Sequence, residues 1–155
     1  MHDLTRFLDA QAGPYETALA EIRAGAKTGH WMWFIFPQIA GLGSSPTAAH
    51  YAIRDRAEAE AFVLDPTLGP RYRTLLDAVH QQVIGHDVTI RQLFDRPDDQ
   101  KLVTSLTLFA GVTAGLGDEW TATQAQANEL LDRAEARGLP RCATTQRLLA
   151  DDARP

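Results

Sequence analysis

No residue from Thr28 to Ile53 is Asp, Glu, Lys or Arg, although 23% of the 155-residue chain is charged. Random placement leaves a gap of this length at a given position roughly once in a thousand. Whatever the chain folds into must therefore accommodate a segment from which charge is excluded. Its first part, Gly29-His30-Trp31-Met32-Trp33-Phe34-Ile35-Phe36-Pro37-Gln38, holds two of the three tryptophans and two of the six phenylalanines. It runs on into Gly41-Leu42-Gly43-Ser44-Ser45 and follows Lys27. A membrane span needs about 20 apolar residues, and the continuous apolar run from Trp31 to Phe36 is far shorter. Because Pro37 pushes Phe36 away from helical geometry, the segment near residues 30–45 is expected to be extended or irregular and buried on all sides.

At 45% hydrophobic, the chain has the composition of one domain with a sizeable core. The expected organisation is a single domain over residues 1–150 and a frayed tail at 151–155. The net charge of −5 works against a nucleic-acid partner, which needs clustered Lys and Arg to neutralise phosphate. One cysteine, Cys142, allows no intrachain disulfide, and Met1 to Arg6 carries no apolar run of the signal-peptide kind. A cytoplasmic protein with no membrane partner is expected, its oligomeric state left open.

Capping and periodicity signals recur along the rest of the chain. Gly13-Pro14, Ser45-Pro46 and Asp65-Pro66 each place proline where a helix begins and its missing N–H costs nothing. Asp55 with Glu58, and Thr121 with Gln124, have the spacing of capping boxes. Leu68, Tyr72, Leu75, Leu76, Val79 and Val83 trace one stripe that Gly85 ends. Leu102, Leu106, Phe109 and Val112 lie on a helix uncharged from Leu102 onward, which predicts the central buried element. The reading is all-α, about seven helices in one compact domain.

The motifs resemble a known family. HWMWFIFPQ at His30 to Gln38, GLGSS at Gly41 to Ser45, YAI at Tyr51 to Ile53, EAEAF at Glu58 to Phe62, DPTLGPR at Asp65 to Arg71 and DDQKLVTSLTLFA at Asp98 to Ala110 are similar to domain of unknown function 1810. Its members are bacterial proteins often labelled "calpastatin", a label that fits a disordered polar chain and not one with a core. Thr104 to Phe109 stands where such families tend to carry SSMTLF. The resemblance implies a small helical cytosolic domain of no established activity. A looser likeness in size and motif order joins the chain to NADAR-type ADP-ribose-processing domains, although His50 stands before Tyr51 where those carry a glutamate.

Three groups of residues are candidates for a site. His30, beside the aromatic wall and three residues after Lys27, has the chemistry of a general acid or base acting on a ligand stacked on Trp31 and Trp33 and bonded by Gln38. The alternative is that His30 bonds the backbone and the aromatics form core. Gly41, Gly43, Ser44 and Ser45 form a turn entering a helix, an arrangement suited to a phosphate or carboxylate. Lys101 and Ser105, with Thr104, intrude on the apolar helix, either toward a ligand near Tyr51 or as the solvent end of a buried helix. The five histidines show no metal-ligand spacing, and neither metal nor cofactor is expected. The preferred reading is a pocket for a nucleotide-like or ADP-ribose-like small molecule, with hydrolysis of an N-glycosidic bond as a possible chemistry. The alternative is a non-catalytic protein-interaction module.

Overall fold

The computed structural model describes residues 2–152. Among them are ten α-helices: α1 Thr5–Gln11, α2 Pro14–Ala24, α3 Met32–Ile35, α4 Pro46–Tyr51, α5 Arg56–Leu64, α6 Leu68–His80, α7 Ile90–Phe94, α8 Asp98–Thr113, α9 Thr121–Ala136 and α10 Ala143–Asp152. No strand occurs among the described residues, and one isolated parallel bridge joins Ile39 to Ile53. The protein is all-α, and the count exceeds seven because the aromatic segment holds a helical turn, Met32–Ile35, and because Ile90–Phe94 and Ala143–Asp152 are helices of their own. No helix among the described residues is long and apolar enough to cross a membrane.

Helix α8 is the buried axis, as its uncharged run predicts. Leu102, Leu106, Leu108 and Val112 are fully covered by α5, α7, α9 and α10, which pack around it. An aromatic chain ties the N-terminal half to this axis. Phe7 meets Phe62 edge-on at 5.1 Å, Phe62 lies 5.4 Å from Phe109, Tyr72 packs 4.5 Å from Phe109, and Phe36 meets Tyr72 at 5.6 Å. Offset and edge-on pairs of this kind add roughly 0.5–1.5 kcal/mol each beyond the area they bury.

Several local expectations change. Trp31 to Phe36, expected to be extended, holds one helical turn, with Ile35 N–H on the Trp31 carbonyl at 3.2 Å and Phe36 N–H on that of Met32 at 3.1 Å. Pro37 constrains only the residue before it: Phe36 leaves the helical region at φ −124, ψ 72, and the four residues upstream are free to coil. Asp55 accepts the Glu58 N–H at 2.8 Å, but the Glu58 carboxylate turns to the Arg54 N–H and the Arg6 guanidinium, so that capping box is half formed. Trp120, not Thr121, precedes α9, and its side chain makes no cap. The complete box lies at Thr89 and Gln92. The long helix widens after His80 into a π-helical turn, Gln81–Gly85. The last helix runs through Asp152, two residues into the stretch expected to fray, and residues 153–155 lie outside the described ones.

Candidate functional site

The chain between α2 and α3 is held by one carboxylate. Glu21, on α2, accepts the N–H groups of Thr28 and Gly29, both at 2.7 Å, and the Trp31 indole N–H at 3.1 Å. Partial burial pushes its pKa up, but the Gly29 and Thr28 donors and the indole outweigh this and hold the carboxyl below its ordinary value. A Cβ on Gly29 would come within 2.9 Å of the Trp31 ring and 3.1 Å of the Glu21 carboxylate, so glycine is required for this approach. Lys27 lies 4.9 Å over the Trp31 ring, donates to the Gly29 carbonyl and pairs with Asp98 at 2.8 Å. Lys27 and Trp31, both expected to touch a ligand, are thereby consumed in the fold: their side chains are 7% and 2% exposed.

Trp33 lies on the other side of the same turn, because residues two apart on a helix point in nearly opposite directions. It is half-buried and lines two adjoining depressions. The larger, about 480 Å³, is bounded by Trp33, Gln38, Gly43, Ser44 and Ser45 on one side and by Pro97 and, from α8, Gln100, Lys101 and Thr104 on the other. The smaller, about 310 Å³, shares Trp33, Gln38 and Gly43 and extends to Gly41 and Tyr51. The loop between them is pinned at the Ile39–Ile53 bridge, where Ile53 N–H meets the Gln38 carbonyl at 2.8 Å and Ala40 N–H meets that of Ile53 at 2.7 Å. Gly43 closes against α4: a Cβ there would stand 2.6 Å from that of Ala48.

The charge in this cleft comes from Lys101, whose ammonium lies 5.7 Å from the Trp33 ring centroid, within cation–π range. Asp98 sits 3.8 Å from Lys101 and 2.8 Å from Lys27, so it joins the cleft to the buried loop. Ser45 accepts the Ala48 N–H at 3.1 Å as an ordinary helix cap, and α4 is only six residues long. Anion binding at that helix start therefore has little dipole behind it. Thr104 donates to the Gln100 carbonyl at 3.1 Å.

The structure brings together Trp33, Gln38, Gly41, Gly43, Ser44, Ser45, Tyr51 and Lys101, and leaves others apart. His30 is exposed and belongs to neither depression. Ser105 is fully buried and shares a 3.0 Å hydrogen bond with the Tyr72 hydroxyl. Adjacent residues diverge by about 100° around a helix, so Lys101 and Thr104 face the cleft while Ser105 faces the core. Burial drives the Tyr72 pKa far above its ordinary value of 10.0. Pro97 and Gln100 were missed, although positions 97, 100, 101 and 104 have the spacing of a single helical face. Among the described residues, no three His, Cys, Asp or Glu side chains are placed to hold a metal ion.

Comparison with known proteins places these observations in a family. The family described as "Protein of unknown function (DUF1810)" matches residues 1–137. The crystal structure of a conserved hypothetical protein, Rv1873 from Mycobacterium tuberculosis, is 41% identical and superimposes with a TM-score of 0.81 over 96% of each chain. No curated protein matches the chain. The chain belongs to the DUF1810 family.

Proposed function

We propose that this DUF1810 member binds a small, anionic, ring-bearing molecule of nucleotide-like or ADP-ribose-like chemistry in the Trp33 cleft. The observation that carries the reading is the Lys101 ammonium 5.7 Å from the centroid of a half-buried tryptophan in a cavity of about 480 Å³. A flat ring stacks on the indole, a phosphate pairs with the ammonium, and the Gln38 carboxamide and Ser44 hydroxyl orient the rest. Binding is supported more directly than N-glycosidic hydrolysis, because His30 is not part of the lining. An interaction module that used the aromatic segment as its partner patch would present both tryptophans on a flat surface, whereas Trp31 is buried and Trp33 lies in a cleft.

The test is a thermal-shift series with AMP, ADP, ADP-ribose and NAD on the natural chain and on Trp33→Leu and Lys101→Ala. A ligand at about 100 times its dissociation constant adds roughly 2.7 kcal/mol. The expected result is a shift with at least one nucleotide that both variants abolish. No shift with any of them, or a shift that both variants retain, overturns the proposal.

A further inference from the structure

A separate cavity, about 230 Å³, lies on another face of the first turn of α8, between the 87–91 segment and the end of α9. Arg91, Arg96, Arg133 and Arg137 border it, four of the fifteen basic residues of a chain whose net charge is −5. Only two carboxylates, Asp87 and Asp99, share the lining. Arg133 meets Asp87 at 3.3 Å, and Arg96 meets the buried Asp99 at 3.5 Å. Among the described residues, the Arg91 and Arg137 side chains have no hydrogen-bond or ion-pair partner. Arg133 and Arg137 also stand four residues apart near the end of one helix, a spacing at which like charges repel. Two guanidiniums' worth of positive charge is thus gathered at one cavity without internal compensation. The floor is apolar: Ile90 and Ala134 are buried, and Val88 and Leu139 are half-buried.

We propose that this cavity is a binding site for a phosphomonoester whose ester group is apolar. A phosphomonoester carries close to two negative charges near neutral pH, which matches the excess of four guanidiniums over two carboxylates. Planar guanidiniums bind its oxygens in pairs, as an ammonium cannot. The Ile90, Ala134 and Leu139 floor takes the apolar group. The site shares no lining residue with the Trp33 cleft and stands or falls independently of it.

The experiment is calorimetric titration with phenyl phosphate, with inorganic phosphate as the headgroup alone. Phenyl phosphate is expected to bind saturably and more tightly than inorganic phosphate, and more weakly as salt rises. Arg91→Gln with Arg137→Gln, which breaks no hydrogen bond or ion pair among the described residues, is expected to weaken binding about tenfold or more. Asp87→Asn, which removes a competing carboxylate, is expected to tighten it. Lys101→Ala, in which the Trp33 cleft lacks its cation, is expected to retain saturable binding, and the arginine double variant is compared in that background, which separates this site from the Trp33 cleft. Absence of saturable binding by the folded natural chain, equal affinity in the double variant, or loss of binding in Lys101→Ala overturns the proposal.

Discussion

Trp31 and Trp33 are separated by one residue, yet the first is 2% exposed and the second lines an open cleft. Trp31 has Glu21 on its indole N–H, Lys27 over its ring, and Phe36 and Phe94 at 6.3 and 6.2 Å. Trp33 has Lys101 at 5.7 Å and the cavity. Residue type therefore says little about use within this aromatic run. What separates core from candidate site is which side of a one-turn helix a residue occupies and whether a partner from α2 or from α8 meets it there.

The comparison breaks most sharply at Trp31. Trp31→Ala removes a buried ring and leaves Glu21 without its indole donor, and it is expected to cost about 3–5 kcal/mol. That is a large part of the 5–15 kcal/mol typical of a domain, and equilibrium urea unfolding reads it directly. A loss below about 1 kcal/mol would mean that Trp31 is not the core residue its burial implies.

Gly29→Ala tests the same region without deleting anything. The new Cβ would press on the Trp31 ring at 2.9 Å and on the Glu21 carboxylate at 3.1 Å, and overpacking of this kind costs about 1–3 kcal/mol. Its effect should fall between that of Trp31→Ala and that of any cleft substitution. A near-neutral result would mean that the Lys27–Trp31 loop shifts freely, which would weaken the contrast between the two sides.

Acid pH gives a smaller, reversible version of the test. Burial raises the Glu21 pKa, but the Gly29, Thr28 and Trp31 donors lower it further, so its folded value lies below the ordinary 4.5. A depressed carboxyl pKa contributes stability that is present above the unfolded value and lost as pH falls through the folded one. The Trp31 side should therefore be insensitive to this group at neutral pH and loosen below about pH 4.5. Glu21→Gln should flatten that part of the stability–pH curve, measured between pH 3 and pH 6 by chemical unfolding. An unchanged curve would remove Glu21 from its place as the anchor.

How much of this was legible depends on the range of each interaction. The α6 and α8 stripes could be read because amphipathic helices repeat their pattern over several turns. The Met32–Ile35 turn could not, since in an all-apolar run periodicity carries no information. Glu21 gave no signal at all, because two of its three partners are backbone N–H groups, which every residue but proline possesses. The cleft was half legible: the Trp33-to-Ser45 wall is contiguous in sequence and Lys101 is a polar intrusion on an apolar helix, but Pro97 and Gln100 lie more than fifty residues from that wall and carry no such signal. Spacing alone puts Ser105 with Lys101, because residues four apart share a face, whereas the Tyr72 hydroxyl holds it in the core.

The smallest expected change in stability is at Lys101, and it sharpens the contrast most. Its ammonium is partly exposed, and its nearest acid, Asp98, stands 3.8 Å away and already pairs with Lys27 at 2.8 Å. Ion pairs of that kind contribute about 0–1 kcal/mol, so Lys101→Ala should unfold within about 0.5 kcal/mol of the natural chain. If the cleft binds a nucleotide, the same substitution should nonetheless remove the ligand-induced thermal shift, because the ammonium is the only cationic group in the lining of that cavity among the described residues. Stability lost with binding intact would instead assign Lys101 to the fold through Asp98. Binding lost with stability intact separates a residue that holds the chain together from one that faces what the chain holds.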